Sequence, residues 1–414
     1  MVYKCIQKTN LKLFTIVKNT LFSFVNMKNE MLRNIFEDEF YDQIKFSKVT
    51  GRYVSNSRLK LVLDEFKKEF DVNILGQSVQ GRSIYRVKLG TGKIKILAWS
   101  QMHGNEATTT KAVFDLFNTL KMGKDQLAIK SILKNCTLHI IPILNPDGAE
   151  VYTRVNANHI DLNRDLQNLS QPESRILKDE FDQFKPNYCL NLHDQRTIFS
   201  AGNHSKSAVL SFLTPSKDEE RSIDANRKLS MALIAGIAQD LSDYLPGSIG
   251  RYDDAFNINC AGDTFQNLSV PTILFEAGHS PGDYEREETR KQVYRALISC
   301  LHQISQKSIE LPEYQDYFNI PENEKLFNDI VIRRAILNGK RVDISIQFRE
   351  TLENGKILFI PVVEKIATEI QNYGHKEIDA KENVIKTADG SEFLENVVVS
   401  KIILNNEELE VNHA

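Results

Sequence analysis

Four short apolar runs recur along the chain, and longer segments of helical pattern lie between or after them. The four runs span 93–99, 137–144, 187–192 and 270–276. Apolar residues at helical spacing occupy 107–121, 173–184, 218–245 and 283–305. Strands that are apolar throughout are typically buried on both faces, and their alternation with helices is typical of parallel sheets. The pattern therefore predicts an α/β fold, with a mixed, mostly parallel central sheet and helices on both of its faces.

The chain is long enough for more than one domain, since it has 414 residues and a domain usually takes about 100–200. Helical patterns at 30–40 and 58–70 precede two strands broken by glycine turns at 73–90. Asn-Gly and Asp-Gly pairs beside β-branched runs, which indicate hairpins, occur at 338–348, 353–364 and 389–404. We therefore predict an N-terminal extension with helices packed on the core over 1–70, a main α/β domain over 71–310 and a small β-rich domain over 322–414.

Charge and cysteine content narrow the class of protein. The formal net charge of -3 gives no sign of a nucleic-acid or membrane partner. The five cysteines are scattered and odd in number, which argues against a disulfide framework and fits a reducing compartment. Lys12 and Lys18 interrupt the apolar N-terminus, so a poorly ordered extension is expected there rather than a signal peptide. A cytoplasmic location is expected, with secretion left open.

Polar residues follow or end each of the four apolar runs. His103 and Glu106 come after the first run, the turn tetrapeptide 145-NPDG-148 after the second, His193 after the third, and Glu276 ends the fourth. Ligands of open α/β sheets bind beyond the carboxyl ends of the strands. Two histidines and two glutamates are therefore expected to meet at the edge of the sheet where such a fold binds ligands.

Imidazole and carboxylate groups at this edge suit zinc, which takes three protein ligands in a catalytic site and keeps one position open. His103, Glu106 and His193 would make such a set, with one zinc per chain. Glu276 is left over and is a candidate general base. Taken singly, each residue has an ordinary explanation, because an HxxE spacing arises by chance, a histidine is often only hydrogen-bonded and a glutamate can cap a helix. Their joint position at strand ends favours the metal site.

Further motifs follow in the chain, and with them residues 71–300 or so resemble the zinc carboxypeptidases related to carboxypeptidase A. The resemblance is to a bacterial-type member of that family. The motifs that carry the resemblance are 76-GQSVQGRSIYRVKLG-90, 103-HGNE-106, 145-NPDG-148, Arg154, 161-DLNRD-165, 193-HD-194 and 275-FEAG-278. The resemblance implies that His103, Glu106 and His193 bind zinc and that Glu276 activates the attacking water.

The resemblance also implies roles in binding the substrate. Arg154 matches the arginine that polarises the scissile carbonyl and stabilises the oxyanion, for which fixed positive charge is suited. Asn163 and Arg164 match the pair that binds the terminal carboxylate of the substrate, a group that the guanidinium fork fits well. Tyr252 is the nearest match to the family's substrate-covering tyrosine, although its spacing to the general base differs from that in the digestive enzymes.

Some positions stay open at this stage. Asp254, Asp263 or neither could line the specificity pocket, and an acidic residue there would favour a basic side chain. His159, His204 and His279 lie near the motifs but are expected to be structural or at the surface, because three ligands already complete a zinc site.

These observations lead to one main functional hypothesis, namely zinc-dependent hydrolysis of the amide bond next to a free C-terminal carboxylate. The expected partner is a peptide substrate with that carboxylate, and the oligomeric state is not predicted. Alternatives are an amidase or peptidase of cell-wall peptides, or an acyl-amino-acid deacylase of related fold. A non-catalytic binding module is the alternative of a different class, and its signature would be loss of the general base at Glu276.

Overall fold

The structure is a computed structural model that describes residues 32–306 and 312–412. The apolar N-terminus discussed above, over residues 1–31, lies outside the described residues. Within the described ranges, no helix has both the length and the apolar character needed to cross a membrane.

A mixed sheet forms the centre of the molecule, and eight strands of the described residues belong to it in the order β1-β2-β4-β3-β5-β9-β7-β8. The strands are β1 (Asp71–Gln77), β2 (Ser83–Leu89), β3 (Ile94–Ser100), β4 (Cys136–Ile141), β5 (Tyr188–Asp194), β7 (Leu210–Leu213), β8 (Ile249–Arg251) and β9 (Thr272–Ala277), while β6 (Ser200–Ala201) lies outside this sheet. The four apolar runs form β3, β4, β5 and β9, which are adjacent and mutually parallel. Because these four are parallel, their carboxyl ends meet at one edge.

Helices cover the sheet, and their bounds follow the predicted segments with some differences. They are α1 (Asp38–Ile44), α2 (Asn56–Leu63), α3 (Thr108–Met122), α4 (Leu127–Asn135), α5 (Pro146–Val151), α6 (Pro172–Phe184), α7 (Ala225–Asp240), α8 (Ala261–Asn267) and α9 (Glu287–Ser305). The α/β prediction is confirmed. The segment predicted as a helix over 218–245 is shorter, because Asp224 accepts a hydrogen bond from the Arg227 amide and so caps α7 at its N-terminus.

The segment ahead of β1 forms hydrogen bonds with a buried ion pair of the core. Asp115 of α3 faces Arg290 of α9, with 2.6 Å between Oδ1 and Nη2, and both side chains are fully buried. The same carboxylate accepts hydrogen bonds from the Phe46 amide and the Tyr41 hydroxyl. Arg290 also donates to the carbonyl oxygens of Phe46 and Val49. A buried ion pair needs such additional hydrogen bonds to offset its desolvation, and here most of them come from the N-terminal segment.

Strands dominate the chain after residue 322, as predicted, and we call this part the C-terminal β region (residues 322–414). Its strands are β10 (Asn323–Glu324), β11 (Phe327–Leu337), β12 (Lys340–Glu353), β13 (Lys356–Ala367), β14 (Tyr373–Asp379), β15 (Ile385–Thr387), β16 (Lys401–Leu404) and β17 (Glu407–Glu410). Turns at Asn338-Gly339 and Asn354-Gly355 join β11 to β12 and β12 to β13. The run at 389–404 is a strand only over Lys401–Leu404, so most of that prediction was wrong.

The linker between the predicted α/β domain and the C-terminal β region contains a 3-10 helix over Tyr314–Asn319. Tyr317 of this helix is buried in the main apolar cluster. The linker is therefore packed against the α/β core at this point. β10 then pairs with β6, which follows the strand β5 in the chain.

Candidate active site

The three predicted metal ligands come from the ends of neighbouring strands. His103 lies three residues after β3, Glu106 lies two residues before α3, and His193 is the penultimate residue of β5. All three side chains are buried. Gly104 lets the first loop approach the NPDG loop closely, since a Cβ atom there would lie 2.0 Å from the carbonyl carbon of Gly148. The loops that carry the donors therefore pack backbone against backbone.

The donor atoms of these residues face one another. The Nδ1 atom of His103 lies 2.7 Å from Glu106 Oε1, and the Nδ1 atom of His193 lies 2.8 Å from Glu106 Oε2. The two Nδ1 atoms are 3.1 Å apart, and one donor atom from each residue lies within 4.8 Å of the others. Two ring nitrogens and a carboxylate that converge on one point form the His₂Glu set that zinc accepts. The donor chemistry therefore fits a bound zinc ion.

The pKa values of the three groups are shifted in different directions. Burial would raise the pKa of Glu106, but the two histidines outweigh it and hold that pKa well below its usual range. Burial lowers the pKa of His193. For His103 the carboxylates of Glu106 and Asp161 outweigh burial and raise the pKa.

Asp161 is a functional residue that the sequence reasoning did not single out. Its Oδ1 atom lies 3.1 Å from Nε2 of His103, on the side of the ring away from the other donors. Its Oδ2 atom accepts a hydrogen bond of 3.0 Å from Nε of Arg154. A carboxylate on the outer nitrogen of a ligating histidine fixes the ring orientation and the tautomer. The motif 161-DLNRD-165 contained this signal, but the partner histidine lies 58 residues earlier.

Arg154 lies beside the metal donors, as its expected role requires. Its Nη1 atom is 3.4 Å from Glu106 Oε1, and about half of its side chain is exposed. Asp161 holds the Nε edge of the guanidinium group. Positive charge is therefore placed next to the donor set, with part of the group open to solvent.

Glu276 is adjacent to His193 because β5 and β9 pair in parallel with these two residues in register. Its carboxylate is partly buried. Burial raises the pKa of Glu276 well above its usual range, and the negative charges of Glu106 and Asp194 raise it further. The structure therefore brings this fourth strand-end residue to the donor set.

Asn163 and Arg164 lie in a 3-10 turn, Leu162–Arg164, which the side chain of Asp161 caps. The side-chain oxygen of Asn163 accepts a hydrogen bond from the Ala261 amide at the start of α8. Arg164 is exposed, with Nη1 donating to the Asn163 carbonyl and lying 3.1 Å from Sγ of Cys260. The turn is thus held by the Asp161 cap and by the Ala261 amide, while the guanidinium group of Arg164 is accessible.

Tyr252 directly follows β8 and is partly buried. Its ring packs edge-on against Phe199, with 5.4 Å between ring centroids. Burial raises its pKa, and the charges of Glu276 and Glu106 raise it further. The tyrosine therefore lies within electrostatic range of the donor set.

The two aspartates considered for the specificity pocket have different surroundings. Asp254 forms ion pairs with Arg221 and Arg227, so its charge is neutralised. Asp263 is buried in α8, and its Oδ1 atom accepts a hydrogen bond from the Asn257 amide. Burial raises the pKa of Asp263 to about 6, and Arg164 is among the charges that oppose this. The charge of Asp263 therefore interacts with that of the exposed Arg164.

The remaining histidines near the motifs lie apart from the donor set. His159 and His204 are exposed. His279 is buried, and its ring packs against that of His375 in the C-terminal β region, with 4.4 Å between centroids.

Asp194 is the second functional residue that the sequence reasoning left without a role. Its carboxylate accepts hydrogen bonds from the amides of Thr108 and Thr109, the first two residues of α3. Its own amide donates to Glu106 Oε2, at 3.2 Å. The residue after one histidine ligand thus holds both the glutamate ligand and the helix that follows it. Its position in the motif 193-HD-194 was visible, but its partner helix was not.

Comparisons with known proteins agree with this arrangement. The family model for zinc carboxypeptidase matches residues 56–235. Carboxypeptidase SOL1 of Arabidopsis thaliana is 27% identical over 213 residues, which cover 46% of this chain and 40% of that protein. Carboxypeptidase E of Caenorhabditis elegans is 26% identical over 211 residues, covering 44% of each chain. The chain therefore spans less than half the length of these curated relatives.

The fold also resembles that of a solved structure. A carboxypeptidase A-like protein from Shewanella denitrificans superposes with a TM-score of 0.50 at 18% identity, over 61% of this chain and 70% of that one. Identity at this level shows a shared fold only. Together, these findings show that residues 56–235 match the zinc carboxypeptidase family model and that the chain is similar to curated carboxypeptidases.

Proposed function

We propose that this chain is a zinc carboxypeptidase that releases the C-terminal residue of a peptide with a free carboxylate. The single observation that carries the proposal is the convergence of His103, Glu106 and His193, with Glu276 in register beside His193. The match of residues 56–235 to the zinc carboxypeptidase family model supports it. We also propose the division of the chain into an extension over 1–70, a catalytic domain over 71–310 and a β-rich domain over 322–414.

In this proposal His103, Glu106 and His193 would hold zinc, which would supply Lewis-acid chemistry for the scissile carbonyl and the attacking water. Glu276 accepts the proton of the attacking water and afterwards delivers it to the leaving amine. Arg154 donates to the carbonyl oxygen as negative charge develops there, which stabilises the transition state more than the bound substrate.

Substrate recognition in this proposal depends on the turn that contains Asn163 and Arg164. Arg164 presents an accessible guanidinium group, and Asn163 is fixed beside it by the Ala261 amide. A free carboxylate is the anion that a guanidinium fork binds best in a peptide. Tyr252 packs over the bound end residue. We further propose that Asp263 favours a basic C-terminal side chain, because its charge interacts with that of Arg164 and, among the described residues, it has no ion pair of the kind that neutralises Asp254.

The test combines metal analysis with paired peptides. The purified protein should contain about one zinc per chain, and His193→Ala should contain much less. Peptides ending in lysine or in leucine are then offered as the free acid and as the C-terminal amide. The wild type should cleave the acids and not the amides, with faster turnover of the lysine peptide.

Variants of two arginines make the test specific for the carboxylate. Arg164→Ala should raise KM for the free acid about 10–100-fold, because a hydrogen bond to a charged group contributes about 1.5–3 kcal/mol. It should also lose most of the discrimination against the amide. Arg175→Ala is the matched control, since Arg175 is an exposed arginine that donates to the carbonyl oxygens of Leu169 and Ser170. If the wild type cleaves amide and acid equally well, the exopeptidase proposal is wrong and an amidase or deacylase leads.

A further inference from the structure

The C-terminal β region contacts the chain directly after two of the proposed active-site residues. In the segment that follows His193, Thr197 accepts hydrogen bonds from Gln347 and His375, and the Ile198 carbonyl accepts one from the Phe327 amide. Residues of β11, β12 and β14 therefore hold this segment from one side.

The loop that follows Glu276 is held in the same way. The Tyr284 hydroxyl of that loop donates to Asp329 Oδ1 at 2.9 Å. The Tyr284 ring is buried in the apolar cluster of the C-terminal β region.

One carboxylate of the C-terminal β region reaches further into the α/β core. Glu350, on β12, places both carboxylate oxygens 2.8 Å from Nη2 of Arg52. The side chain of Arg52 is only 6% exposed and that of Glu350 is 26% exposed. Arg52 belongs to the segment between α1 and α2, so the N-terminal segment and the C-terminal β region meet here. An arginine buried to this extent requires a charged partner, and Glu350 is the nearest one.

Arg52 continues the contact towards the metal donors. Its Nη1 atom lies 3.4 Å from the Thr108 hydroxyl and 3.8 Å from Asp194 Oδ2. Asp194 is the residue that caps α3 and donates to Glu106. The path from Glu350 to the glutamate ligand thus consists of two side chains, Arg52 and Asp194, and it ends at the backbone that fixes that ligand.

Glu350 has a second partner on the side of Arg154. The Tyr152 hydroxyl donates to Glu350 Oε2. Tyr152 ends α5 in the left-handed conformation, with φ of 56°, and precedes Arg154 by two residues. Because a non-glycine residue in that conformation needs support from its surroundings, the hydroxyl contact helps to set the direction in which the chain leaves α5 towards Arg154.

Arg52 lies between the carboxylates of Asp194 and Glu350. Arg286 is a second buried cation of this part of the core. Its guanidinium group donates to the carbonyls of Gln195 and Ala277, each next to the strand end that carries a site residue. Removal of the Glu350 charge would leave Asp194 as the carboxylate that faces Arg52. Arg52 would then be drawn to Asp194 and compete with the amides of α3, and the excess positive charge would oppose a bound dication.

We propose that Glu350 of the C-terminal β region is a positioning residue for the active site, which acts through Arg52 and Asp194 on Glu106 and through Tyr152 on Arg154. The inference rests on the proposed zinc carboxypeptidase function. It assigns the C-terminal β region a part in catalysis, because the site of the α/β core is incomplete without this carboxylate.

The test uses the full chain and the substitution Glu350→Gln, which keeps the shape and removes the charge. Zinc affinity is measured by competition with a chelator, and kcat and KM are measured on a free-acid peptide. We expect zinc affinity to fall about 10-fold and kcat to fall by a similar factor. This is the lower end of the losses in metal affinity or activity that follow removal of a residue supporting a metal ligand. Glu353→Gln is the matched control, because Glu353 is an exposed glutamate on the same strand. It should leave both quantities within about twofold of the wild type.

Tyr152→Phe separates the two paths. It removes only the hydroxyl contact and leaves Arg52 paired, so kcat should fall severalfold while zinc affinity stays within about twofold. If Glu350→Gln does not fold, Glu350→Asp replaces it and should show an intermediate loss of zinc affinity.

Unchanged zinc affinity and kcat in a folded Glu350 variant would overturn the inference, even if thermal stability fell, because the carboxylate would then be only structural. Failure of the proposed function is distinguished by the wild type, which in that case would bind no zinc or would not cleave the free-acid peptide.

Discussion

Asp161→Asn is expected to damage catalysis more than metal binding. The Oδ1 atom of Asp161 meets His103 Nε2 at 3.1 Å and the Asn163 amide at 2.9 Å, while Oδ2 meets Nε of Arg154 at 3.0 Å. Asparagine has a single oxygen to serve both sides. If the asparagine oxygen takes the place of Oδ1, it accepts from both His103 and the Asn163 amide. If it takes the place of Oδ2, it accepts from Arg154 alone. The first placement is therefore favoured, and the amide nitrogen then faces Nε of Arg154, donor against donor.

The expected fall in kcat follows from the loss of the hydrogen bond between Asp161 and Arg154. A hydrogen bond between charged partners contributes about 1.5–3 kcal/mol, and about 1.4 kcal/mol corresponds to a factor of ten. Since the loss falls on Arg154, which acts on the oxyanion in the proposed mechanism, kcat should fall about 10–100-fold with a smaller change in KM. The His103 contact is kept but loses its charge, so zinc affinity should fall by less than about 10-fold.

The assay compares Asp161→Asn with Asp165→Asn, the other carboxylate of the same motif. Asp165 binds Ser170 and the Gln171 amide instead of the metal donors. The control therefore removes one carboxylate charge from the same loop, and it should lower thermal stability without changing kcat or zinc affinity by more than about twofold. The reasoning is refuted if Asp161→Asn keeps kcat within about threefold of the wild type, or if both variants behave alike.

Two further perturbations test the site and its support. Glu276→Gln should retain zinc and thermal stability while kcat falls by at least about 10²-fold, in line with loss of a general base; turnover near that of the wild type would reduce Glu276 to a structural role. Burial, helped by the charge of Arg286, lowers the pKa of His375 from its ordinary value of 6.5 to about 4. Burial also lowers the pKa of the neighbouring His279. Between pH 6.5 and pH 4, His375 is protonated in the unfolded chain and neutral in the folded chain. The free energy of unfolding is therefore highest above about pH 6.5 and decreases as the pH falls towards 4, by about 3 kcal/mol for His375. Urea unfolding of the wild type and of His375→Gln over this range measures the difference, and parallel pH dependences would contradict the assignment.

Local patterns in the sequence were sufficient to predict the central strands and to single out the candidate metal donors. The four central strands are short apolar runs, and the physical reason for their visibility is that a strand buried on both faces excludes polar residues throughout. His103, Glu106, His193 and Glu276 then stood out as polar residues where those runs stop. The family resemblance added Arg154, Asn163, Arg164 and Tyr252, which the structure brings to the same edge or its surroundings.

Local patterns were less reliable where packing decides the element. The NPDG turn is also the start of a short helix, because the Asn145 side chain accepts a hydrogen bond from the Gly148 amide. The apolar pattern at 389–404 becomes a strand only near its end, since pairing partners exist there for Lys401–Leu404.

The supporting contacts of the site were decided by tertiary structure alone. The carboxylate on His103 comes from a residue 58 positions later, and the pair between Arg52 and Glu350 spans 298 positions. No periodicity or spacing links such residues, because their proximity results from the order of strands in the sheet and from the way the C-terminal β region packs on it. The sequence by itself therefore determined which groups can bind a metal, whereas the tertiary structure decided which carboxylates, and from which part of the chain, hold those groups in place.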